Sequence, residues 1–233
     1  MGESRKLWIP GPVGKLEAIV RVAEAPKAAA VVAHPHPQHG GTMHNSVIFH
    51  SDRELHRSDW TTLRFNFRGV EHSEGLHDEG RGEVDDLAAA AAWLRGIVPH
   101  RPLYLVGFSF GALCAIRLGV TDANVAGVVA IGIATHHYGY EDAAKLGKPF
   151  AVVQGEQDEL ADLDLVRRIV EDANGALHVI PETGHLFQGR SRDAAAKVRE
   201  AASGMLRQAT RASRPAPDPS GSGHRPQHSR RGG

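Results

Sequence analysis

Short, almost continuously apolar runs alternate with helix-patterned stretches along this chain, and that alternation constrains its fold more than any other feature. Ala28 to Ala33, Thr61 to Phe67, Leu103 to Val106, Val125 to Ile133, Phe150 to Val153 and Leu177 to Ile180 are the apolar runs. A strand reads this way when both of its faces are covered. Helical patterns fall between them, near Ser46 to Arg57, Glu83 to Ile97, Phe110 to Gly119, Leu163 to Asp172 and Arg192 to Gln208. Strand, helix, strand repeated in this way implies right-handed crossovers, hence a mostly parallel sheet with helices on both faces. In such a sheet the chemistry sits beyond the carboxyl ends of the strands. Upstream, Lys6 to Ile9 and Leu16 to Val22 flank a Gly-Pro turn and are expected to pair as an antiparallel hairpin.

The composition fits one α/β domain of 233 residues, large enough to bury a core without disulfides or metal. Lys plus Arg and Asp plus Glu are equal at 27 each, so no global field draws the chain to nucleic acid or anionic lipid. Dedicated nucleic-acid binding is therefore disfavoured. The longest apolar stretch, Val125 to Ala134, is half the ~20 residues that a membrane-spanning helix requires. A single cysteine, Cys114, cannot form an internal disulfide, and the first residues, MGESRKLWIPG, carry no apolar leader. The expected compartment is the cytoplasm, and no feature sets an oligomeric state. From Arg211 the sequence becomes RASRPAPDPSGSGHRPQHSRRGG, which has too few apolar residues to offset the entropy of ordering it. Residues 1–210 are expected to form the folded domain and residues 211–233 a disordered basic tail.

The most informative motif is Leu103-Tyr-Leu-Val-Gly107-Phe108-Ser109-Phe110-Gly111, a strand that ends in Gly-x-Ser-x-Gly and runs into a helix. A tight strand-to-helix turn presents the serine hydroxyl at a helix N-terminus, and flanking glycines make room for neighbouring chain. Serine at neutral pH is a poor nucleophile, so a histidine must take its proton and a carboxylate should orient that histidine. Two later strands end in candidates. Val152-Val-Gln-Gly155-Glu-Gln-Asp158 puts Asp158 just past a strand, with Glu156, Glu159 and Asp162 as neighbouring rivals and helix capping as a second role. His178-Val-Ile-Pro-Glu-Thr-Gly184-His185 puts His185 after the last strand, and position and chain order favour it over the other fourteen histidines.

Carbonyl chemistry also needs donors for the developing oxyanion, each worth about 3 to 4 kcal/mol. The backbone N–H of Phe110, next to the nucleophile, is one. The loop after the third strand, His34-Pro35-His36-Pro37-Gln38-His39-Gly40-Gly41-Thr42, should supply the other. Pro35 and Pro37 have no N–H, which leaves His36 as the best placed donor.

These residues resemble the alpha/beta hydrolase superfamily over almost all of residues 5–210. Phe65-Asn66-Phe67-Arg68-Gly69-Val70-Glu71-His72-Ser73-Glu74-Gly75 looks like the Arg-Gly-x-Gly-x-Ser loop that follows the fourth strand in many members, with Glu71 standing where relatives often have glycine. Joined to HPHPQHGGTMHN, it resembles a bacterial subfamily of small, capless members. The resemblance implies an eight-stranded, mostly parallel sheet with the antiparallel hairpin at its start. It also implies a lid insertion point between Ala134 and Pro149, where only 14 residues intervene. That is too short for a cap domain. Tyr138, Tyr140 and Phe187 are candidate pocket residues.

The expected function is a serine hydrolase: Ser109 attacks the acyl carbonyl, His185 is general base then acid, Asp158 orients it, and the His36 and Phe110 amides hold the oxyanion. A small carboxylic ester ranks first as substrate, a thioester second, a peptide third; no cofactor or metal is expected. Two readings of other classes compete. His34, His36, His39 and His44 lie within eleven residues and His136-His137 follow another strand, which suggests a metal-binding protein. The fold could also serve only as a binding module. Cys114 reads as a small buried thiol.

Overall fold

The computed structural model describes residues 4–212. Eight strands form one sheet in the order β1-β2-β4-β3-β5-β6-β7-β8. β1 (Ser4–Gly11) and β2 (Gly14–Arg21) make the antiparallel hairpin, with Lys6 opposite Ile19 and Ile9 opposite Leu16. β2 also pairs antiparallel with β4 (Trp60–Phe65), and the remaining pairings are parallel. These involve β3 (Ala28–Ala33), β5 (Leu103–Phe108), β6 (Val125–Ile131), β7 (Phe150–Gly155) and β8 (Ala176–Ile180).

Alternate residues of each central strand enter two separate cores, which is why the runs are apolar throughout. Val31, Leu105, Val128 and Val152 face one side, against Leu87, Leu94 and Ile116. Val32, Val106, Val129 and Val153 face the other, against Val47, Ile48, Ala194 and Val198. The first layer holds α2 (Gly82–Ile97), α3 (Phe110–Thr121) and α4 (Leu163–Asp172); the second holds α1 (Ser46–His56) and α5 (Ser191–Ala212). α5 carries Arg211 and Ala212, the first two residues of the expected tail; the rest of that tail, 213–233, lies outside the described residues.

Two strands stop sooner than their apolar runs do. β4 ends at Phe65 because the Phe67 N–H leaves the ladder for the His34 ring. β6 ends at Ile131 because Gly132 adopts φ +52, a left-handed turn that glycine enters without steric cost. Between β6 and β7 there is only a five-residue 3₁₀ turn, Glu141–Lys145, so no cap covers the sheet. β3 and β5 lie side by side at the centre while the chain crosses to opposite edges from them, a topological switch point at which a crevice opens beyond their carboxyl ends.

Candidate active site

Ser109 sits in the tight turn between β5 and α3 at φ 53, ψ −111, a conformation that costs ~1 to 3 kcal/mol for a residue with a Cβ. Its surroundings hold it there. Its N–H donates to Ile131 O (2.8 Å) and its carbonyl accepts from Ala112 N (2.9 Å), the first bond of α3. The two glycines of the motif are required by space: a Cβ on Gly107 would lie 2.1 Å from Gly111 O, and one on Gly111 would lie 2.4 Å from Ala33 O.

The His185 side chain bridges to both expected partners. Its Nε2 is 3.0 Å from Ser109 Oγ, and its Nδ1 is 3.0 and 2.9 Å from the two Asp158 oxygens. All three residues are buried, at 7% exposure or less. A carboxylate can only accept, so Nδ1 carries the proton and Nε2 is free to accept from the serine hydroxyl. The rival carboxylates have other partners. Glu156 accepts the Glu182 N–H (3.0 Å), Glu159 accepts the His185 backbone N–H (3.0 Å), and Asp162 caps α4 through Asp164 N and Leu165 N. Asp158 also accepts the Leu160 N–H (2.9 Å), so it serves its own turn as well. Sequence reasoning missed Gln154, whose amide donates to Asp158 Oδ2 (2.6 Å) from within β7; a polar residue inside an apolar strand was the available signal.

The loop after β3 is stiffened by His34. Its Nε2 accepts the Phe67 N–H (3.1 Å), so Nδ1 bears the proton and donates to Pro35 O (2.6 Å). The ring has no exposed surface, and burial pushes its pKa down to about 4. The unfolded chain therefore takes up a proton near pH 6.5 that the folded chain refuses until about pH 4. Stability should fall by about 3 kcal/mol as the pH drops through that window, with no further contribution below it. Urea unfolding at several pH values tests this, and His34→Gln, which still accepts the Phe67 N–H, should lose that share of the slope. An unchanged slope in the variant would refute it.

Beyond Pro35, the His36 carbonyl accepts from His39 N (3.1 Å) and Gly41 N (3.0 Å). Among the described residues, the backbone N–H groups of His36 and Phe110 have no acceptor. The four histidines of this segment do not converge: His34 is buried against Phe67, the His36 ring stacks on His39, and His44 faces Glu71 at 3.8 Å. Among the described residues no three His, Cys, Asp or Glu side chains are grouped to hold a metal ion. Glu71, standing where glycine was expected, adopts the left-handed φ of 49 itself and accepts from Asn66 Nδ2 at 2.5 Å.

A cavity of about 200 Å³ lies over Ser109, walled by His36, Tyr138, Leu160, His185 and Leu186. A larger hollow of about 610 Å³ adjoins it across His137 and Tyr138, towards Leu165 and Ile169. Of the three aromatics named as pocket candidates, Tyr138 lines the cavity. Tyr140 lines the adjoining larger hollow, with its hydroxyl accepting the Ala134 N–H (3.1 Å), and Phe187 lines neither, being buried against the Phe108 ring. Cys114 is buried, and desolvation raises its thiol pKa far above the ordinary range. Among the described residues no helix is long and apolar enough to cross a membrane.

Residues 38–143 match the alpha/beta hydrolase fold family. An uncharacterised protein of Rickettsia prowazekii is 35% identical over 170 residues, covering 71% of this chain and 71% of that protein. A lidless α/β serine hydrolase of Xanthomonas campestris superposes with a TM-score of 0.77 at 32% identity, covering 86% of this chain and 94% of that one. An α/β serine hydrolase homologue of Coxiella burnetii superposes with a TM-score of 0.79 at 31% identity, covering 86% and 97%. With this sheet order, this serine turn and relatives above 30% identity along most of their length, the chain belongs to the alpha/beta hydrolase family.

Proposed function

We propose that the protein is a serine hydrolase of small or soluble carboxylic esters, with thioesters second. The observation that carries the proposal is the position of His185, within hydrogen-bond distance of Ser109 through one ring nitrogen and of Asp158 through the other. Ser109 Oγ attacks the acyl carbon while its proton passes to His185 Nε2, and Asp158 stabilises the imidazolium that results. The carbonyl oxygen becomes an oxyanion held by the His36 and Phe110 N–H groups. As the carbon–oxygen bond breaks, His185 returns the proton to the departing alkoxide, leaving Ser109 acylated. Water then repeats the sequence, with its proton moving to His185 and back to Ser109 as the acid leaves.

An alkoxide or thiolate leaves more readily than an amine, which must be protonated before it departs, so amides rank last. The absence of a cap favours small or water-soluble esters, and the cavity directly over Ser109 suits a short acyl group. The proposed compartment is the cytoplasm, in keeping with a single, buried cysteine.

A fluorophosphonate probe should label Ser109, and p-nitrophenyl esters should turn over fastest with short acyl chains at a rate that EDTA leaves unchanged. Labelling elsewhere, or loss of turnover on chelation, would sink the proposal.

A further inference from the structure

We propose that Gln154 is a positioning residue for the reaction, one that fixes the Asp158 carboxylate against His185; this rests on the serine-hydrolase reading above. Gln154 is the penultimate residue of β7 and has no exposed surface. A buried amide is costly unless both of its ends are bonded. Here both ends are used. The Oε1 atom accepts the Ile133 N–H at 2.9 Å, and Nε2 donates to Asp158 Oδ2 at 2.6 Å. The amide orientation follows from its partners, because a backbone N–H can only donate and a carboxylate can only accept.

These two partners belong to different parts of the site. Ile133 lies where the chain has just left β6 through the Gly132 turn, one residue before Ala134, which lines the cavity over Ser109. Asp158 lies on the turn after β7. Gln154 therefore ties the cavity wall to the triad carboxylate. Without it, Oδ2 retains only the His185 ring as donor, while Oδ1 keeps the Leu160 N–H. Oδ2 would then lose its tether to β7, and the Ile133 N–H would be left buried without an acceptor. Misplacement of a catalytic group by about 1 Å can cost about 100-fold in rate.

Two variants separate positioning from simple packing. Protonated Glu at this position has the shape of Gln and can make both bonds, with its C=O to Ile133 and its O–H to Asp158. Ionised, it sets a second carboxylate against Asp158, so one proton should be shared by the pair and retained well above the ordinary Glu value of ~4.3. We expect kcat/KM of Gln154→Glu to be close to wild type near pH 6 and to fall at least tenfold relative to wild type by about pH 8. Gln154→Leu should lose about 10 to 100-fold in kcat at every pH with little change in KM. Thermal melts establish that each variant is folded at the assay temperature, and fluorophosphonate labelling of Ser109 should persist in both at a lower rate. Either folded variant retaining the wild-type kcat and pH profile overturns the positioning role and leaves the hydrolase reading standing. Wild-type protein that neither labels nor turns over removes the hydrolase reading and this proposal together. If Gln154→Leu unfolds, the pH profile of Gln154→Glu decides the question alone.

Discussion

Ser109→Ala should lower turnover of a p-nitrophenyl ester by about 10⁵ to 10⁶-fold while leaving the protein folded. Removal of Oγ deletes the atom to which the acyl group would be attached. Cys114 lies five residues further along, in α3, but it is buried and its thiol stays protonated. Any residual rate should come from oxyanion stabilisation and binding alone, which elsewhere retain about 10³ to 10⁴-fold over water. Stability should hardly change, because among the described residues Oγ bonds only to His185 and because Ala keeps the Cβ and hence the same strained backbone. The test is a kcat comparison alongside a thermal melt. A folded variant with more than a hundredth of the wild-type rate would remove Ser109 as the nucleophile.

Asp86→Ala should cost about 3 to 5 kcal/mol of stability, the largest single loss we expect outside the strands. Asp86 is fully buried on α2 and takes three hydrogen bonds from one residue: Arg68 N (3.0 Å), Nε (2.9 Å) and Nη2 (2.8 Å). Its carboxylate keeps the guanidinium pKa above its ordinary value. Truncation leaves a cation at 7% exposure and a buried N–H with no acceptor. The guanidinium has no room to swing away through Gly82, where even a Cβ would fall 1.8 Å from Nη1. For a domain of this size such a loss lowers Tm by on the order of 10 °C. A shift below about 3 °C in calorimetry would show that water reaches Arg68 and relieves the vacancy.

The architecture was legible because burial on both faces leaves the central strands apolar throughout; β8, at the sheet edge, carried a similar run although its residues are mostly half-buried. The grouping of Ser109, Asp158 and His185 was legible for a different reason: each follows a strand, and the sheet gathers strand ends at one rim whatever the loops between them do. What escaped depends on contacts made across the chain. Gln154 reads as one polar residue among valines, and its partner Ile133 lies 21 residues away with no local trace. Phe187 is aromatic like Tyr138 and Tyr140, so composition could not separate packing from lining; Phe187 turns at a left-handed φ of 50 and packs on Phe108, while the two tyrosines line the hollows. Glu71 shows the reverse case. Where relatives often have glycine, the glutamate itself adopts a left-handed φ of 49 and accepts from Asn66.

The short connection between β6 and β7, whose one regular element is the 3₁₀ turn Glu141–Lys145, bears on how such an enzyme can choose among substrates. With no cap there is no large closing motion into which the binding energy of a distant substrate group could be channelled, so recognition is settled by dimensions that exist before the ligand arrives. A pocket of that kind distinguishes neighbours in a homologous series by about 10 to 200-fold per methylene and no more. Breadth of substrate range is then a property of the topology itself, and narrowing it would call for added chain at this turn more than for a change among the residues beside Ser109.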